Sequence, residues 1–115
     1  MKKLEIGTVV AERVLILDAD VQVVARIGLP YTPAEFPNES WCPWQIEGVG
    51  SGVVRRAIGI DSVQALWLAF HAIGCQLYAC EEYRSGRLVA FRGKELGDLG
   101  FPTFAETRDL LPKSD

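Results

Sequence analysis

No charged residue occurs between Ser62 and Cys80, and that stretch constrains this chain more than any other feature of its sequence. Roughly 18 or more such residues can cross a bilayer, but Gln64, His71 and Gln76 are spread along this run, which reads better as a buried helix. Asp61 just before it has the short carboxylate that caps free amides at a helix start. Gln64, three positions on, can reach back in the manner of a capping box. At 3.6 residues per turn Val63, Leu66, Trp67, Phe70, Ile73 and Leu77 share one stripe, which we expect to press on a sheet. Burying those six side chains contributes roughly 1.5 to 3 kcal/mol each before entropy is subtracted. The opposite face carries Ala65, Leu68, Ala72, Cys75 and Ala79 and no charge. Such a face needs a cover, either the C-terminal third of the chain or a second copy, and self-association is therefore one expectation.

The residues before the helix alternate as strands do. Gly7 to Leu17 is rich in β-branched residues, and in Val21 to Ile27 Gln22 and Arg26 mark the wet face. Asp18-Ala19-Asp20 between them has hairpin-turn chemistry, so the two strands should be antiparallel neighbours. Trp41 to Glu47 sets Cys42, Trp44 and Ile46 against Trp41, Gln45 and Glu47, a third strand in which Pro43 suggests an edge position or pairing that begins just beyond it. Gly48 to Gly52 turns the chain, and Val53 to Ile58 returns as a fourth strand, with Arg55 and Arg56 pointing to opposite faces. Arg87 to Phe91 reads as a short further strand. Thr103 to Leu111 reads as a short C-terminal helix with Thr103 and Glu106 spaced as a second capping box. The fold class is α+β: one domain over residues 1–115, an antiparallel sheet of four to five strands packed on one long apolar helix.

At 115 residues, with 49% hydrophobic and 23% charged residues, the chain can bury a core without staples. A net charge of -3 offers no basic stripe for a polyanion, so nucleic-acid binding is not expected, and neither is a membrane partner. Glu5, Glu12 and Arg13 interrupt what a secretory signal would need to be apolar. Three cysteines, an odd number, point to reduced thiols and a cytoplasmic location.

Candidate chemistry is sparse. His71 and Cys75 lie one helical turn apart, and with Cys42 and Cys80 they make a legitimate zinc ligand set, but no C-x2-C knuckle preorganises it. The same residues could serve a thiol nucleophile activated by His71, yet a catalytic cysteine needs an electropositive, accessible setting that mid-helix positions do not supply. No catalytic residue, metal or cofactor is therefore expected. Gly48 to Gly52 is a turn rather than a phosphate loop, because a strand follows it and it carries no lysine.

The aromatic residues are more informative. Gly28 to Ser40 holds Pro30, Pro33 and Pro37 and must be a surface loop. Its Tyr31 and Phe36, with Trp41 facing away from the core, are the candidate binding residues, since an exposed tryptophan beside a proline loop gives contact area at low entropic cost. Trp67 is expected in the core.

Trp41-Cys42-Pro43 with Ile46-Glu47-Gly48, and Gly59-Ile60-Asp61-Ser62-Val63-Gln64-Ala65-Leu66, resemble an uncharacterised family of small bacterial domains in which a W-C-P strand is followed by a G-x-D-S-x-Q-A-L helix. Gly97 to Pro102 is a weaker echo of it. The resemblance implies no activity and assigns no residue a catalytic role. Small acidic domains are similar in general form to immunity proteins that block bacterial toxins. Three readings follow: a non-enzymatic, immunity-like interaction domain that holds a protein partner; a small-molecule module that uses the Trp41 and proline-loop surface; and a cysteine-dependent enzyme or metal site near His71.

Overall fold

A computed structural model of the chain describes residues 3–90 and 98–102. Its strands are β1 (Val9–Leu17), β2 (Val21–Gly28), β3 (Ser40–Glu47), β4 (Arg55–Gly59) and the short β5 (Leu88–Val89), with helix α1 (Ser62–Ala79) between β4 and β5 and a single turn of helix, α2 (Glu81–Arg84), after it. They form one five-stranded sheet in the order β4-β3-β2-β1-β5. Every pairing is antiparallel. The architecture is the α+β sheet-and-helix arrangement expected, with β5 supplying the fifth strand. The expected helix over Thr103 to Leu111 lies outside the described residues. Among the described residues, no helix is long and apolar enough to cross a membrane.

The alternation in the sequence translates directly into two sheet faces. Leu15, Val23, Ala25, Ile27, Cys42, Trp44, Ile46 and Ala57 point inward and are buried, which they achieve because side chains two apart along a strand share a face. The outer face carries Glu12, Arg26 and Glu47, where the Arg26 guanidinium bonds both carboxylates.

Pro43 does not lie on an edge strand, for β3 is bonded to β2 on one side and β4 on the other. The alternative expectation is the one met on the β2 side, where the ladder begins at Trp44 opposite Ile27. Trp41 exchanges both backbone hydrogen bonds with Tyr31, at 2.7 and 2.9 Å, so by alternation the nitrogen of Pro43 faces Gly28 at the end of that ladder. The Gly28 carbonyl, denied an amide there, accepts from the Cys42 thiol at 3.5 Å instead. A missing donor is tolerated in an interior strand because a side chain replaces it.

Helix α1 starts as its capping residues dictate. The Gln64 amide donates to Asp61 Oδ1 at 2.9 Å, and Gln64 Oε1 accepts from the Ile60 amide at 2.8 Å. The face it buries is a correction to the expected stripe. Ala65, Ala69, Ile73 and Leu77 are fully buried, whereas Val63 and Trp67 are 74% and 59% exposed. Gly59 explains the rotation: a Cβ there would lie 2.6 Å from the Ala65 nitrogen, so backbone meets backbone where α1 crosses β4. Only small residues fit at such a crossing, and alanines take the contact while the larger Val63 and Trp67 turn outward.

Farther along α1, Asp98–Pro102 fills the space between the helix and the inner face of β1. Leu99 is buried, the Arg13 guanidinium donates to its carbonyl at 3.0 Å, and the same guanidinium sits 5.2 Å from the centroid of Phe101. This segment meets α1 along Phe70, Gly74 and Tyr78, not along the Ala65, Leu68, Ala72, Cys75 and Ala79 face for which a cover was expected.

Candidate functional site

The proline loop is not slack. Its base is closed by the paired Tyr31 and Trp41 backbones, and two successive turns, Phe36 amide to Pro33 carbonyl and Glu39 amide to Phe36 carbonyl, each 3.1 Å, fold it back on itself. That folding lays Phe36 against the indole of Trp41 with centroids 5.5 Å apart and planes 28° from parallel. Tyr31 meets the same indole edge-on at 6.1 Å. The Trp41 Nε1–H donates to Glu39 Oε1 at 2.8 Å, so the ring is fixed in its plane.

The fourth member comes from β4. The guanidinium carbon of Arg56 is 4.1 Å from the Trp41 centroid, close enough for a cation–π contact. Ile58, directly opposite Trp41 in the β3–β4 register, extends the patch and is partly exposed. Tyr31 and Phe36 remain 42% and 47% exposed. The three residues singled out in the sequence therefore form one cluster. Arg56 and Ile58 were missed, although counting outward equally from the Val49–Gly50 turn centre places residue 58 across from residue 41.

The electrostatics of this surface differ from those of the chain as a whole. Arg26 is held by Glu12 and Glu47, and Arg87 by Asp18 and Glu81. Arg55 and Arg56 are exposed and have no carboxylate partner among the described residues. A chain of net charge -3 thus presents two guanidinium groups without a described carboxylate partner on β4, Arg56 on the face of the aromatic cluster and Arg55 on the opposite face.

His71 and the cysteines are placed differently. His71 is buried on α1, its Nδ1 is 2.9 Å from the Trp67 carbonyl oxygen, and its ring meets the Trp67 indole edge-on at 4.4 Å. Trp67 is the second correction, since it lies exposed on the helix rather than in the core. Cys42 is fully enclosed between sheet and helix, and burial pushes its thiol up to about 11, which keeps it protonated near neutral pH. Burial raises Cys80 as well. Among the described residues no group of three His, Cys, Asp or Glu side chains is placed to hold a metal ion.

Between the proline loop and the start of α1 lies an open concavity bordered by Tyr31, Asn38, Glu39, Asp61 and Ser62. Its lining is largely polar, unlike the enclosed apolar pockets that usually hold small molecules.

The W-C-P strand and the Asp61-capped helix therefore lie side by side, one contributing Trp41 and the other packing on β4. A family profile described as Domain of unknown function (DUF6968) matches residues 11–103. The chain belongs to this family. Residues 11–103 of the DUF6968 match take in all five strands except the first two residues of β1, both helices and the whole aromatic cluster. No curated protein and no solved structure matches the chain.

Proposed function

We propose that this DUF6968 domain is a non-enzymatic protein-interaction module whose contact surface is the cluster of Tyr31, Phe36, Trp41, Arg56 and Ile58. One observation carries the reading: three aromatic rings and a guanidinium from the proline loop, β3 and β4 converge on the outer side of the sheet yet leave Tyr31 and Phe36 nearly half exposed. Tyr, Trp and Arg dominate the energetic centres of protein interfaces, because they bring large area with little rotamer entropy to lose. Here the loop turns and the Glu39 bond fix them beforehand, which lowers the ordering cost on association.

The immunity-like form of this reading, drawn from small size and net negative charge, calls for an acidic contact face. The aromatic patch carries Arg56 instead, so the partner surface it suits is acidic. The small-molecule reading lacks an enclosed apolar pocket beside Trp41 among the described residues. A cytoplasmic location remains part of the proposal, supported by Cys42, Cys75 and Cys80 all being thiols.

The test is a Tyr31→Ala/Phe36→Ala double variant compared with the parent domain. Partners captured from the source cell are purified and titrated against both proteins. An affinity loss of about tenfold or more with an unchanged thermal midpoint supports the surface assignment. Undiminished binding removes it.

Self-association is a second reading, favoured by a separate patch. Ile60, Val63 and Trp67, spaced at i, i+3 and i+7, are 78%, 74% and 59% exposed at the start of α1. Light scattering of the parent and a Trp67→Glu variant decides it: a dimer that the substitution dissociates supports the reading, and a monomer at high concentration ends it.

A further inference from the structure

We infer that the outer edge of β4 accepts an extended, carboxylate-bearing segment of a partner protein as an added strand. This rests on the interaction reading above and gives the partner its chemistry. β4 closes the sheet on that side among the described residues. Trp41 turns its backbone toward Tyr31, so Ser40, Cys42 and Trp44 turn theirs toward Gly59, Ala57 and Arg55. By the same alternation the amides and carbonyls of Arg56 and Ile58 face outward, the arrangement that strand addition uses.

Charge selects the occupant. Arg55 and Arg56 project to opposite faces of this edge, and neither has a carboxylate partner among the described residues. A paired strand alternates its side chains in the same way, so acidic residues at neighbouring positions would reach one guanidinium on each face. Next to the edge runs an open groove bordered by Leu4, Trp44, Val54, Arg55 and Ile58. Trp44, 5% exposed, borders it from the core, and among the described residues its Nε1–H has no acceptor. Pairing and charge thus point to one kind of ligand.

The probe is a soluble heptapeptide with two adjacent glutamates at its centre flanked by threonine and valine, so that one carboxylate lies on each face of the added strand, together with a counterpart carrying lysine at each glutamate. Each is titrated into the 15N-labelled domain. The acidic peptide should bind saturably, shift the Arg56 and Ile58 amides and slow their hydrogen exchange, while the lysine peptide should not bind. Arg55→Glu/Arg56→Glu should weaken the acidic peptide by about tenfold or more. Arg55→Glu alone, on the face away from Trp41, should weaken it in the same direction without touching the aromatic cluster. Equal binding of the two peptides, binding of neither, or exchange protection confined to other strands overturns the assignment, as does a homodimer that protects these amides without peptide. If the captured partner loses affinity through Tyr31→Ala/Phe36→Ala but not through Arg55→Glu/Arg56→Glu, strand addition falls while the interaction surface stands.

Discussion

The hydroxyl of Tyr78 accepts a hydrogen bond from the Leu99 amide at 2.9 Å and so joins the last turns of α1 to the segment that closes the core over β1. Both residues are buried. Burial also raises the Tyr78 phenol above its ordinary range, so at neutral pH it stays protonated and keeps its own proton to donate. Tyr78→Phe preserves the ring and strands the Leu99 amide. An unsatisfied buried donor costs about 1 to 3 kcal/mol. Urea unfolding should show that loss, and an unchanged midpoint would mean that water reaches the amide.

Gly74 sits where the same segment crosses the helix. A Cβ at this position would collide with the Pro102 carbonyl oxygen and press on the Phe101 side chain. Alanine in a helix interior normally gains about 1 kcal/mol over glycine, but overpacking against backbone costs about 1 to 3 kcal/mol. We expect steric repulsion to win and Gly74→Ala to lower stability by about 1 kcal/mol. A rise in the melting temperature would show that Asp98–Pro102 shifts freely and is not part of the cooperative core.

These contacts mark the boundary of what the sequence discloses. Strand phases in β2 and β3 are legible because Gln22 and Arg26, or Gln45 and Glu47, break an otherwise apolar alternation. The existence of α1 is legible from Asp61 and Gln64, but its orientation is not. A helix with alanine, leucine and tryptophan on every side has no polar face to exclude, and the contact that decides is the glycine–backbone approach at Gly59. Tyr31, Phe36 and Trp41 stand out through composition and proline context. Arg56 joins them only through cross-strand register, and Leu99 reaches Tyr78 through a glycine-rich stretch with no hydrophobic period to read.

The β1–β2 turn holds a local conflict of its own. Asp18 and Ala19 have φ of 51° and 75°. Aspartate tolerates the left-handed region through its short polar side chain, while alanine there carries about 1 to 2 kcal/mol of steric strain. Ala19→Gly relieves the strain and loses about 0.5 to 1 kcal/mol to the freer unfolded chain. The net expectation is a gain of about 0.5 kcal/mol, seen as a higher midpoint in chemical unfolding with an unchanged slope. A loss of stability would mean that Ala19 makes a contact worth more than its strain.

Cys42 makes stability fall in alkali. Its thiol is shifted from 9.0 to about 11 in the folded chain because the thiolate would be desolvated between sheet and helix. Above pH 9 the unfolded state releases this proton and the folded state keeps it, so unfolding is favoured by rising pH. The contribution is therefore complete below pH 9 and lost through the interval up to about 11, a decline on the order of 2 kcal/mol. Cys80, Tyr78 and Tyr83 are raised in the same direction and steepen the total fall. The difference between the parent and Cys42→Ala isolates the Cys42 share. The variant starts less stable, having lost the thiol that serves the Gly28 carbonyl, but its stability should decline more gently between pH 9 and 11. Parallel pH profiles for the two proteins would show that water reaches the thiolate and that the sheet–helix interface is not dry at Cys42.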